Sequence, residues 1–177
     1  MRITGGNVFS GGAFTKAAVE VADGRIAALE PSGGASALSE GDIDATGCYV
    51  VPGFIDIHFH GCVGADLCDA AEEAVRAIAR HEASRGVTSI CPATMTYPED
   101  LLASVASTAA AFEPATDEAS LVGINLEGPF ISPDKIGAQN PAYVQHADAA
   151  MLRRIQEAGR GLVKLVDIAP EEPGALE

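Results

Sequence analysis

From Phe54 onward, short and nearly continuous apolar runs alternate with stretches of helical spacing, and this alternation constrains the fold more than any other feature. The runs at 54–57, 87–94, 121–126 and 162–169 are long enough for buried strands and too short for helices. Between the first two, residues 70–84 carry Ala74, Ile78 and Ala79 on one helical face and stop at Arg85-Gly86. Pro98 opens a second helix over 99–112, with acidic residues set against its dipole, and residues 147–159 read as a third. Strands that are apolar on both faces and separated by helices pair in parallel and are covered by those helices. Four such strands are half of an eight-stranded barrel, which takes roughly 250 residues. A small open α/β sheet is the competing architecture, but it gives no reason for polar residues to gather at the strand ends.

The residues ahead of this region have a different pattern. Residues 1–49 read as short strands, with Asp23-Gly24 between two alternating apolar runs as a hairpin signal and the Gly- and Ser-rich piece 31–41 as a loop. Residues 43–51 then lead back into a strand. This β unit is too thin to form a core alone. The expected division is therefore 1–52 and 53–177.

Composition narrows the partners. The chain has 11 Lys and Arg against 25 Asp and Glu, a formal charge of −14. That argues against nucleic acid and against anionic membranes, both of which select a cationic footprint. The amino terminus carries no apolar run of signal-peptide type and no segment reaches membrane length, so a cytoplasmic protein is expected. Cys48, Cys62, Cys68 and Cys91 lack Cys-x-x-Cys spacing and are expected to be free thiols.

The chemistry concentrates in Val51-Pro-Gly-Phe-Ile-Asp-Ile-His-Phe-His-Gly61. If the strand continues through it, His58 and His60 leave its end on one face, a geometry suited to chelating a metal, and Asp56 two positions earlier can orient a ligand. A bare His-x-His is equally a pair of polar residues in a surface turn. In parallel α/β folds the site lies at the carboxyl ends of the strands. The second strand delivers Thr94 there, and the third delivers Glu127, which alone reads as well as a turn cap. Two nitrogens and one carboxylate on one rim suit zinc, with iron or manganese less distinctive. Such an ion polarises a carbonyl and activates water. Cys62 lies near this rim; His81 and His146 read as structural or exposed. The loop 135–141 is rich in hydrogen-bonding groups and reads either as a cover for a polar ligand or as a plain surface loop.

Pro52-Gly-Phe-Ile-Asp-Ile-His-Phe-His-Gly61, Gly86-Val-Thr-Ser-Ile-Cys-Pro-Ala-Thr94, and Gly123-Ile-Asn-Leu-Glu-Gly-Pro-Phe-Ile131 followed by Gly137-Ala-Gln-Asn-Pro141 resemble the N-acetylglucosamine-6-phosphate deacetylases of the amidohydrolase superfamily. The resemblance implies the amino-terminal half of a (β/α)8 TIM-type barrel, preceded by part of a small β-sandwich. It implies Glu127 as a metal ligand, His58 and His60 as ligands of a second metal position, and Ala138 and Gln139 at the sugar substrate. The family usually has His where this chain has Gln139, and an amide cannot take up a proton. The implied reaction is hydrolysis of the acetamide of N-acetylglucosamine 6-phosphate to glucosamine 6-phosphate and acetate. It calls for one or two divalent ions, zinc foremost, in a homo-oligomer. The family's catalytic aspartate, two further metal-binding histidines and its phosphate-binding residues fall beyond the matched span, so the 177-residue chain alone is expected to have little or no activity. Two other readings compete: an amidohydrolase acting on a cyclic amide or aminated base, and a non-catalytic module assembling through open sheet edges.

Overall fold

A computed structural model describes residues 1–31 and 38–176, so most of the loop predicted over 31–41 lies outside the described residues. The chain forms two compact units, Met1–Pro52 and Gly53–Glu177.

In the first unit, β1 (Arg2–Thr4), β2 (Asn7–Ser10), β3 (Ala13–Ala22) and β4 (Arg25–Pro31) precede the short β5 (Ile43–Asp44) and β6 (Tyr49–Val50). The long β3 pairs antiparallel with β1, β2 and β4, while β5 and β6 add in parallel to β1 and β2. The hairpin predicted at Asp23-Gly24 is present: both residues have positive φ, 52° and 69°, as a tight two-residue connection requires. The strand predicted over 43–51 is interrupted instead. Asp44 Oδ1 accepts from Thr46 N at 2.9 Å and Gly47 turns at φ 81°, which separates β5 from β6. The core of this unit is Val8, Ala17 and Val19, with Ile3, Val21 and Val50 packed around them.

The second unit begins with β7 (Phe54–Asp56) and the tight hairpin β8 (Gly61–Cys62)–β9 (Ala65–Asp66). It continues through α1 (Glu72–Ser84), β10 (Val87–Ile90), α2 (Glu99–Ala111), β11 (Ser120–Leu121), β12 (Ile124–Glu127), α3 (Ala149–Ala158) and β13 (Val163–Asp167). Three strands pair in parallel in the order β7, β10, β11, and β12 pairs in parallel with β13. Backbone hydrogen bonds Asn125 N to Pro92 O and Thr94 N to Asn125 O, both 2.9 Å, join the two sets beyond the end of β10. The result is a mixed α/β unit whose parallel strands follow sequence order.

The single strand predicted over 121–126 is broken at Val122-Gly123. A side chain at Gly123 would press against Lys164 Cγ at 2.7 Å and Cys91 Sγ at 2.9 Å, so the missing Cβ is what lets the neighbouring segments close on it. The helix predicted from residue 70 starts at Glu72, because a 3-10 turn at Leu67–Asp69 takes the residues before it. Asp66 caps that turn by accepting from Cys68 N at 2.7 Å, and Asp69 returns a bond from Asp66 N at 2.9 Å.

The core draws Leu67, Ile78, Ile90, Leu102, Ile124, Leu126 and Ile155 together from strands and helices, each at most 1% exposed. One charged group joins the interior at its edge. The Glu118 carboxylate has no exposed surface and accepts from Arg76 Nη1 and Arg80 Nη2, both at 2.8 Å, and from Ala115 N at 2.9 Å. Its oxygens are satisfied, as a buried carboxylate demands. By contrast Phe54, Ile55 and Ile57 remain exposed along the β7 edge. Among the described residues, no helix is long and apolar enough to cross a membrane.

Two measurements check this packing. Ile78→Ala is expected to lower unfolding free energy by about 3 kcal/mol in urea titration, whereas Ile55→Ala, 65% exposed, should change it by less than about 0.5 kcal/mol. The Cys68 thiol accepts from Met95 N at 3.3 Å; burial, then Asp66 and Asp69, push it up to about 12. Folding therefore favours the protonated thiol, a contribution fully present below pH 9.0 and lost as pH rises toward about 12. At pH 8 a thiol reagent should label exposed Cys48 and spare Cys68 until the chain is unfolded.

Candidate metal centre

Strand β7 ends at Asp56, so His58 and His60 do not project from a strand face as the two-residue spacing suggested. They sit in irregular chain held beside the extension of β10, where Cys91 N donates to Asp56 O and Ala93 N to Phe59 O. Asp56 acts on the backbone rather than on an imidazole, its Oδ1 accepting from His58 N at 3.1 Å. The two rings still end close together, with centroids 5.7 Å apart and planes at 80°.

Glu127 is the last residue of β12 and turns its carboxylate between these rings. Its Oε2 lies 3.4 Å from His58 Nε2 and 3.2 Å from His60 Nε2. It is buried and has no hydrogen-bond partner among the described residues, so the rings face it without donating properly to it. Three ligands placed about 2.1 Å from a tetrahedral zinc are separated by about 3.4 Å, which these spacings match. A carboxylate oxygen and two imidazole nitrogens, all within 4.8 Å of one another, fit a divalent cation by chemistry as well as by distance. His58 is the open side of the cluster, its side chain 55% exposed against 24% for Glu127.

The second oxygen of Glu127 is held separately. Gln139 Nε2 donates to Glu127 Oε1 at 2.7 Å, and Gln139 Oε1 accepts from Thr96 N at 2.7 Å. Gln139 is 6% exposed, so both ends of its amide are committed in the interior, while the adjacent Ala138 is exposed. The backbone at Glu127 is also pinned: Thr96 Oγ1 donates to its carbonyl at 3.3 Å. That contact requires the following residue to be glycine, because Gly128 sits at φ 80° and a Cβ there would collide with Thr96 Oγ1.

Asn125, one pleat before Glu127, was not singled out by the sequence. Its Nδ2 is 3.1 Å from His58 Nδ1, and its Oδ1 is buried without a partner among the described residues. With Nδ2 toward the ring it donates to Nδ1. Turned by half a turn it accepts from an Nδ1–H, which leaves Nε2 with a free lone pair for a cation. The signal was legible in principle, since a polar residue inside the apolar run Val-Gly-Ile-Asn-Leu of a buried strand must find a partner. Thr94 reaches the same rim, fully buried, with its Oγ1 unpartnered among the described residues. His146 stands apart with an exposed side chain, Nδ1 3.8 Å from Glu172 Oε2. His81 is half-buried beside Cys62 and Glu82.

Fold and donor set together define an α/β protein with a candidate divalent-metal centre at the carboxyl ends of its parallel strands. Residues 49–177 match the amidohydrolase family, and the chain belongs to that family. It is 31% identical over 155 residues to N-acetylglucosamine-6-phosphate deacetylase from Lysinibacillus sphaericus, covering 87% of this chain and 40% of the relative. It is 32% identical over 160 residues to N-acetylgalactosamine-6-phosphate deacetylase from Escherichia coli O157:H7, covering 90% and 41%. The crystal structure of N-acetyl-D-glucosamine-6-phosphate deacetylase from Mycobacterium smegmatis superposes with a TM-score of 0.86 at 29% identity, over 99% of this chain and 45% of that one. The chain thus spans less than half the length of these relatives.

The Gln139 amide is expected to matter for the cation more than for folding. Gln139→Leu frees Glu127 Oε1 and should weaken zinc binding about 10- to 100-fold in a chelator-competition titration.

Proposed function

We propose that a protein carrying this sequence removes the acetyl group from an N-acetylated amino-sugar 6-phosphate, N-acetylglucosamine 6-phosphate foremost, releasing acetate. The observation that carries this reading is the Glu127 carboxylate at the end of β12, its Oε2 facing His58 and His60 and its Oε1 held by Gln139. The deacetylase names of the relatives supply the substrate class.

On this reading Glu127, His58 and His60 hold one or two divalent ions, zinc by donor chemistry. When bound there, the ion supplies a Lewis acid for the acetamide carbonyl and lowers the pKa of water. The chain's own residues do the positioning. Gln139 keeps one carboxylate oxygen occupied so that the other stays directed at the imidazoles, and Asn125 sets the tautomer and rotation of His58. Both ends of the Gln139 amide are engaged, and because an amide does not titrate, its Nε2 remains a donor to Glu127 whatever the pH, as an imidazole would not. Exposed Ala138 offers the sugar a small, unobstructed contact beside it. The same reading takes the four-strand parallel succession as half of a (β/α)8 barrel and the first unit as part of a β-sandwich.

The test uses the 177-residue chain and the same chain joined to the carboxyl-terminal part of a deacetylase relative. With zinc, acetate release is followed for N-acetylglucosamine 6-phosphate, its galactosamine epimer and the unphosphorylated sugar, and ring opening is followed for a hydantoin. The phosphorylated amino sugars should turn over fastest, and Glu127→Ala should cost about two orders of magnitude or more. Faster turnover of the cyclic amide, or an undiminished Glu127→Ala rate, sinks the proposal.

A further inference from the structure

A second group of donors stands outside the centre just described. Cys62 Sγ, a ring nitrogen of His81 and a carboxylate oxygen of Glu82 lie within 4.8 Å of one another, all three half-buried. None of these residues belongs to the His58, His60 and Glu127 set. The sulfur comes from β8, whose hairpin turns through Val63 and Gly64, both at positive φ, 51° and 81°. A β-branched residue rarely adopts that conformation, so the hairpin holds the sulfur in place by more than local preference. The other two donors come from the end of α1, which runs to Ser84.

We propose that Cys62, His81 and Glu82 form a second cation site for a zinc-class divalent ion. Thiolate, imidazole and carboxylate are all zinc ligands, and three protein donors with one open position is a recurrent zinc arrangement. The charge balances: a thiolate and a carboxylate offset the two positive charges, and the thiol proton passes to solvent on binding. The location is favourable too, since the carbonyl end of a helix carries partial negative charge and attracts cations. Cys62 also lines an open pocket of about 390 Å³ with His60, Asp66 and Asp69, which gives a hydrated ion access to the sulfur. An ion there ties the hairpin that follows His60 to the end of α1, and so steadies the chain that carries the first centre.

Cobalt separates the two sites, because only a sulfur ligand gives a thiolate-to-cobalt charge-transfer band in the near ultraviolet. The purified 177-residue chain titrated with cobalt should develop that band. Cys62→Ser should abolish it, and the His58→Ala/Glu127→Ala double variant should retain it. His81→Ala leaves the sulfur in place and should shift the band's titration midpoint upward by about tenfold or more. No band in the wild-type chain at saturating cobalt overturns the proposal. So does a band that survives Cys62→Ser, or a midpoint unchanged by His81→Ala. Failure here leaves the first centre untouched, since that one contains no sulfur.

Discussion

The second unit depends on how Asn125 is bonded. Its backbone accepts from Thr94 N and donates to Pro92 O, and those two bonds join β12 to the extension of β10 after regular pairing has stopped. Its side chain reaches His58. A single residue thus sets the register between neighbouring strand ends and orients a donor that arrives from a third. In a parallel sheet such register is decisive, because side chains at the strand ends meet only if the strands finish at the same height. Gly123 serves the same end by letting Lys164 and Cys91 close in where β11 gives way to β12.

The chain carries a charge of −14, yet two carboxylates of its second unit, Glu118 and Glu127, are bonded in different ways. Glu118 is neutralised from within the fold by Arg76 and Arg80, so nothing is left for a ligand. Glu127 has a neutral amide on one oxygen and two imidazoles facing the other, which leaves its negative charge available. That contrast separates a carboxylate satisfied by charged partners from one held by a neutral amide and faced by imidazoles, and it rests on partner chemistry rather than on burial. Neutral donors orient a ligand without competing for it.

Element type was largely legible in the sequence. Apolar runs too short for helices became strands, Arg85-Gly86 ended α1, and Asp23-Gly24 made the hairpin between β3 and β4, because these signals act over a few residues. The expected strands break locally, one for a non-local reason and one for a local one. Strand 121–126 split where its neighbours needed room, and strand 43–51 split where Asp44 capped a turn. The His-x-His spacing suits a strand pleat, but the strand stops at Asp56, and backbone bonds from Cys91 and Ala93 to Asp56 and Phe59 hold the segment that carries the histidines instead.

By itself the sequence determined the alternation of strands and helices, the two-unit division of pattern near residue 52, and the donor types at positions 58, 60 and 127, since composition and periodicity fix these directly. Only the tertiary structure decided that Gln139 holds Glu127, that Asn125 serves His58, and that Cys62 meets His81 and Glu82. Those pairings cross 12 to 67 residues of chain where hydrogen bonds record them, and no local signal specifies a contact of that kind. It follows from how the strands register and the helices pack, which is settled when the whole core forms.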